Sequence, residues 1–247
     1  MVKNYFFYCI IILLATSSTA FGQKYEFDYV MEYEYKKDKK AKPLTYLRFT
    51  NSRDNSFNLT LYERDSLNFN MEFIDAKNGF TSENSISKKH FSEVEALGIK
   101  FPLLQKYNSK NKDQIKQLEF IPLKDTLINK QMCRHLVLAP VTKKINGREQ
   151  DGNHFLILPK TDFHLPNFHP GSVPYYKSIT DNTIPPGIFK EFYTIKNGNK
   201  TDMTVLLQYT KLKKITVFDE TSDQGMNLYF YWYVNLLDRK PVSGSNN

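Results

Sequence analysis

The 247-residue sequence predicts a mainly β protein built on a single curved antiparallel sheet, an open or half barrel of about ten strands with one short helix. Three observations predict it. Apolar and polar residues alternate in run after run, and a period of two places successive side chains on opposite faces of a strand. The connections between these runs are short, which suits antiparallel neighbours, because parallel pairing needs long crossovers. The composition is aromatic, with 16 Tyr and 19 Phe against 10 Gly, and aromatic side chains favour the pleated surface of a sheet.

Residues 1–22 read as an export signal. Lys3 supplies the positive start, and "YFFYCIIILLA" supplies an apolar core too short to span a bilayer. Ala20 and Gly22 stand before the expected cut, which leaves Gln23 as the first mature residue. Cys9 lies inside the apolar core behind Phe6, Phe7 and Tyr8, a poor setting for a lipid-modified cysteine. A soluble periplasmic or secreted chain is expected, with a retained N-terminal anchor as the alternative. No second apolar run follows, so no integral membrane span is expected after cleavage.

In "FDYVMEYEY" the residues Phe27, Tyr29, Met31, Tyr33 and Tyr35 fall on one side, against Asp28, Glu32 and Glu34. "FNLTLY" and "LNFNMEFI" repeat the pattern, separated by the polar connectors "NSRDNS" and "ERDS". Asn78-Gly79, Gly147 and Gly198 mark tight hairpins. In "SKKHFSEVEALG", Phe91, Val94 and Leu97 have helical spacing, Ser87 is a candidate N-cap and Gly98 a stop. This helix is expected in the hollow of the twisted sheet. "QLEFIPL", "CRHLVLAPV", "FLILPK", "IFKEFYTI", "TVLLQY", "KKITVF" and "LYFYWYV" continue the strands. No repeat or long linker interrupts them, so residues 23–238 form one domain and 239–247 a disordered tail.

The formal charge of +8 comes in short lysine runs, "KKDKK", "SKKH" and "KLKK", which suit solvent, anionic lipid headgroups or polyanionic glycans. An exported chain of this kind is not expected to bind nucleic acid. Only Cys133 remains beyond the signal, so no intramolecular disulfide forms and stability must come from a core.

"YVMEYEY", "INKQMCRHLVL", "HFLILPK" and "IPPGIFKEF" together resemble the small secreted proteins of Bacteroidota named for a Gly-Leu-Pro-Gly-Leu-Ile motif. Those are similar in architecture to the periplasmic lipoprotein carriers, whose curved sheet wraps an apolar cavity plugged by helical elements. The resemblance covers residues 24–215. In place of the name motif stand Pro185, Pro186, Gly187, Ile188 and Phe189, which keep only its Pro-Gly-Ile core, and Cys133 matches a cysteine habitual in the central strand. A fold and a compartment are implied, but no functional residue. Asp65-Ser66-Leu67 and Asp125-Thr126-Leu127 look like the O-glycosylation sequence of the same group, but are read first as strand entries after turns. Asn58-Leu59-Thr60 and Asn199-Lys200-Thr201 match the N-glycan acceptor pattern, which matters only in a host equipped for it.

Candidate chemistry is sparse. His154, His164 and His169 are close in sequence, and with Asp162 they offer donors for a metal ion, but their spacing is not that of a rigid zinc-binding element. Pro166 and Pro170 also fit a stiff extended loop whose Phe163, Leu165 and Phe168 cap the sheet. Cys133 and His135 share a strand face but point the same way instead of converging, which suits a buried pair better than a nucleophile with its base. There is no Gly-x-Ser-x-Gly elbow and no phosphate-cradling loop, so neither an enzyme nor a cofactor is expected. In "MNLYFYWYVNLL", Tyr229, Tyr231 and Tyr233 line one face with Trp232 on the other, either as a buried central strand or as a stacking surface for a lipid chain or sugar ring. The leading expectation is a non-enzymatic envelope protein that holds a lipid, another apolar ligand or a partner segment in the concave face of its sheet. A structural or interaction protein without a small ligand, and a metal-dependent hydrolase, are the alternatives.

Overall fold

A computed structural model describes residues 24–93, 96–99, 115–141, 150–181 and 184–219. The period-two runs fold as strands: β1 (Lys24–Lys36), β2 (Leu44–Thr50), β3 (Phe57–Glu63), β4 (Asn68–Asp75), β5 (Phe80–Ser87), β6 (Ala96–Ile99), β7 (Leu118–Ile128), β8 (Gln131–Pro140), β9 (Gly152–Ile157), β10 (Phe189–Lys196) and β11 (Asn199–Asp219). Helices α1 (Lys88–Glu93) and α2 (Val173–Thr180) join them. One sheet runs β5-β4-β3-β2-β1-β11-β10-β9-β8-β7, and among the described residues β5 and β7 are its unjoined ends, so the sheet is open there. Neighbours on this path are antiparallel, as the short connections imply, while β6 lies off it and runs parallel to β11.

Several sequence expectations change. "TVLLQY" and "KKITVF" form a single 21-residue strand, because no Gly or Pro separates them and β1 offers a continuous partner. β2 and β5 were not legible as alternation. In β2 the residues Arg48, Phe49 and Thr50 are all buried, and β5 is a polar end strand, "FTSENSIS". Ser87 does cap α1, its hydroxyl accepting from the His90 N–H at 3.0 Å. The helix nevertheless ends at Glu93, and Leu97 and Gly98 lie in β6 instead, paired with Val217 and Phe218 of β11. Sheet pairing has overridden helical spacing there. α2 is a helix beyond the one the sequence led us to expect; Ser172 caps it by accepting from the Tyr175 N–H, and Pro174 sits in the first turn. The hairpin at Gly147, residues 1–22, strand "LYFYWYV" and the tail 239–247 lie outside the described residues.

The sheet buries both faces. Phe49, Leu59, Leu61 and Phe73 build a cluster on one side of β2–β4, and Phe91 of α1 packs there, its ring 5.5 Å from Phe49. Tyr46, three residues before Phe49, faces the other side with Met31, Tyr33, Ile188 and Leu206. Thus α1 does not fill the hollow, and packs on the opposite face. β1 serves both clusters: Tyr25 and Phe27 join the first, Met31 and Tyr33 the second. Unbroken alternation would keep all four on one side. The register with β11 slips between Phe27 and Tyr29, the kind of bulge that re-aims side chains. Asp28 within it accepts from the N–H and hydroxyl of Ser52, at 2.7 and 2.5 Å.

After β9 the chain crosses the hollow as a strap. Leu165 N–H donates to Ser52 O at 2.9 Å, and Asn55 Nδ2 donates to Pro166 O at 2.9 Å, so residues from the β9–β10 connection are tied to the β2–β3 turn. The Pro-Gly-Ile remnant seats the return. Leu158 N–H donates to Ile188 O, and the Thr161 hydroxyl accepts from Ile188 N–H. Gly187 has φ +142°, and a Cβ there would lie 2.4 Å from Ile157 Cγ2. Gly187→Ala is expected to cost on the order of 2–3 kcal/mol, whereas Gly198→Ala, in an uncrowded hairpin at φ +73°, should cost about 1 kcal/mol. Urea denaturation midpoints of the two variants check the ranking.

Candidate ligand-binding site

A cavity of about 460 Å³ lies on the face shared by Tyr46 and Phe155. β9 and β10 supply one wall. Phe155, Phe189 and Phe192 meet Phe168 of the strap, with Phe168 4.9 Å from Phe155 and 4.7 Å from Phe189 between ring centres. Contacts of this kind add about 0.5–1.5 kcal/mol per pair beyond area burial. β2 and β3 supply the facing wall, where Tyr46 stacks on Tyr33 at 5.5 Å and leans on Tyr62 at 5.6 Å. Asn167 locks the strap between the walls. Its Nδ2 donates to Tyr33 Oη at 2.7 Å and its Oδ1 accepts from Phe189 N–H at 3.0 Å.

Arg48 also lines this cavity and is only 5% exposed. Strand alternation puts it beside Tyr46, and register puts Thr60 across from it on β3 and Glu72 beyond on β4. Its guanidinium lies 5.4 Å from the Tyr46 ring and 5.8 Å from Tyr33, within cation–π range. Its Nε has no hydrogen-bond partner, and neither do the neighbouring Thr60 hydroxyl and Asn58 amide. Burial opposes the charge on Arg48, but the surrounding Tyr46, Tyr33, Tyr62 and Glu72 outweigh it, so the pKa is raised. Burial likewise raises the Glu72 carboxyl, which accepts from Tyr62 Oη at 3.3 Å. Tyr33 and Tyr46 are raised as well, chiefly by burial, and stay protonated.

The three sequence-proposed histidines occupy three settings. His154 sits on β9 facing away from Phe155, and its Nε2–H donates to Gln150 O at 2.6 Å. Its Nδ1 therefore accepts, and takes a bond from His135 Nε2 at 3.0 Å. Tyr193 stacks on its ring at 4.9 Å. His164, in the strap, donates through Nδ1 to Leu165 O and accepts at Nε2 from Thr50 Oγ1 at 2.9 Å. His169 alone of the three lines the cavity, its Nδ1 donating to Pro170 O at 3.0 Å. Burial first and the Arg48 charge second push it down to about 4, so it is neutral. The structure brings His154 together with His135, not with His164 or His169. Among the described residues no group of three or more His, Cys, Asp or Glu side chains is placed to hold a metal ion. Of the expected caps, Phe168 is buried, but Phe163 is 46% exposed and rests on Tyr29 at 5.4 Å, and Leu165 is exposed too. Tyr229, Tyr231, Trp232 and Tyr233 lie outside the described residues. Sequence reasoning missed Arg48 and Asn167. The one available signal was an arginine between Leu47 and Phe49 in an otherwise apolar run.

No family model matches the sequence, and no curated protein matches it. Among solved structures the chain is similar to MucB, at 7% identity over 74% of this chain and a TM-score of 0.36, and it spans about half of MucB, 53%. It is also similar to a putative outer membrane lipoprotein-sorting protein domain from Vibrio parahaemolyticus, at 8% identity over 75% of this chain and 85% of that one, TM-score 0.27. A DUF1329 family protein from Desulfovibrio piger shares 8% identity over 86% of this chain and 91% of its own, TM-score 0.22. Likenesses this remote carry neither function nor site residues. Among the described residues no helix is long and apolar enough to cross a membrane.

The buried histidines set a pH dependence. His154, His164 and His169 all have lowered pKa values, chiefly from burial, so the unfolded chain binds more protons than the folded one between about pH 4 and 6.5. Stability is then fully present above pH 6.5 and is lost as the pH falls towards 4. Denaturation midpoints measured from pH 7.5 to 4.5 should drop steadily, and His169→Gln should flatten part of that slope.

Proposed function

We propose that this protein is a non-enzymatic cell-envelope protein that binds an apolar ligand in the hollow of its sheet. One observation carries the reading: a cavity of about 460 Å³ walled by Phe155, Phe168, Phe189 and Phe192 and faced by tyrosines. That volume falls within the roughly 300–1,000 Å³ typical of small-molecule sites. A purely structural protein would fill the hollow with its own side chains, so the open space favours a ligand over that alternative. Residues 1–22 act as the export signal, 23–238 as the binding domain and 239–247 as a tail, which places the chain in the periplasm or outside the cell. The resemblance of residues 24–215 to the small secreted Bacteroidota proteins implies a fold and a compartment that suit this reading, and does not identify the ligand. Tyr229, Tyr231, Trp232 and Tyr233 are proposed as a further aromatic surface for it, since each ring joins an apolar body to stacking capacity and the tyrosines add a polar tip.

The test is a titration with the uncharged dye N-phenyl-1-naphthylamine. Saturable one-to-one fluorescence enhancement is expected. Leu44, which lines the cavity and is 41% exposed, gives a variant that should narrow the mouth without disturbing the core. Leu44→Trp should weaken dye binding about tenfold, a loss of about 1.4 kcal/mol. Absence of any saturable binding to the wild-type protein would sink the reading.

A further inference from the structure

We infer that Arg48 anchors the anionic headgroup of a single-chain amphiphile whose tail lies among the phenylalanines of the same cavity. This rests on the apolar-ligand reading and adds to it a charge, a polarity and a number of chains.

The first support is an arginine in the wrong place for a structural one. Buried arginines are ordinarily paired, because a charge taken out of water without a counterion is strongly unfavourable. Arg48 is 5% exposed, yet among the described residues no carboxylate lies within ion-pair distance of it. Glu72, the nearest acid on that face, is two strands away and bonded to Tyr62. Cation–π contact with Tyr46 and Tyr33 holds the guanidinium in position but satisfies none of its N–H groups. A planar fork with open donors matches an oxyanion, carboxylate or phosphate alike.

The second support is the company it keeps. Arg48 Nε, Thr60 Oγ1 and both polar atoms of the Asn58 side chain are buried without partners, on adjacent positions of one face of β2 and β3. Unsatisfied buried polar atoms are rare singly; Asn58 and Thr60 lie beside Arg48 without lining the cavity, and Arg48 alone of the three reaches it as a polar pole. Phe155, Phe168, Phe189 and Phe192 form the apolar remainder. The other ionisable groups lining the cavity fit this polarity. His169 is neutral, Tyr35, Tyr46, Tyr62 and Tyr193 are uncharged phenols, and Asp202 is exposed and accepts from Tyr35 Oη at 2.9 Å. A cavity of about 460 Å³ sits in the lower half of the usual range, which suits one chain better than several.

The experiment displaces bound N-phenyl-1-naphthylamine from the purified protein with competitors of defined chemistry: hexadecanoate, hexadecyl phosphate, hexadecanol, and the tail-less anions acetate and inorganic phosphate. The expected result is that at least one anionic amphiphile competes ten times or more better than hexadecanol, and that the tail-less anions do not compete. The order of hexadecanoate and hexadecyl phosphate then assigns the headgroup. Arg48→Met should abolish the preference, read within that variant as the ratio of anionic-amphiphile to hexadecanol competition. Arg48→Lys, which keeps the charge and loses the fork, should retain only part of it. Equal competition by hexadecanol, or a preference unchanged in Arg48→Met, overturns the inference and leaves the apolar reading standing. Competition by acetate or phosphate alone also overturns it. Should Arg48→Met fail to fold, the wild-type ratio and Arg48→Lys decide. Failure of the dye and hexadecanol to bind at all would instead remove the apolar reading beneath it.

Discussion

The antiparallel ladder between β1 and β11, 13 residues against 21, is the constraint on which the rest of the fold depends. It joins the two halves of the sheet, β2–β5 on one side and β7–β10 on the other. Its register slip matters as much as its length. By turning β1 over between Phe27 and Met31, the slip lets one strand seal the Phe49 cluster at one end and floor the cavity at the other. Without it, Tyr33 could not meet both Tyr46 and the strap residue Asn167.

The cavity is therefore a property of three separated stretches of chain brought together by topology. β2 and β3 bring tyrosines and Arg48, β9 and β10 bring phenylalanines, and the strap spans between them. The strap's polar side chains are spent on holding it: Thr161, His164 and Asn167 each make hydrogen bonds to other segments. Arg48 contrasts with them. Arg48, like its neighbours Asn58 and Thr60, has no such partner, and meets aromatic faces instead of acceptors.

Much of the fold was legible in the sequence, because apolar and polar residues alternate in β1, β3 and β4, even where, as in β3, both faces end up buried. It failed where that alternation is weak. β2 is buried on both sides and carries an arginine inward, and β5 is polar but for Phe80 and Ile86. The helical spacing of Phe91, Val94 and Leu97 was real as a pattern, but backbone pairing with β11 claims the last of these, a long-range contact that no local window contains. The histidines drew attention because they are close in sequence. Ring partners that come from Thr50, His135 and backbone carbonyls disperse them in space. Arg48 stood alone in its segment, and its meaning depends on Phe155 and Phe189, more than a hundred positions away.

An open sheet has two rims, and exposed backbone donors and acceptors on a rim are a template for pairing with another chain. Among the described residues the two rims are blunted by different means. β5 presents Ser82, Glu83, Asn84 and Ser85 in succession, whose polar side chains disfavour a dry strand-on-strand contact. β7 carries Pro122, which lacks an N–H to offer, and its ladder with β8 is interrupted between Leu123 and Thr126. A sheet left unclosed among the described residues thus avoids the hazard of its own rims, which is self-association into extended β-aggregates.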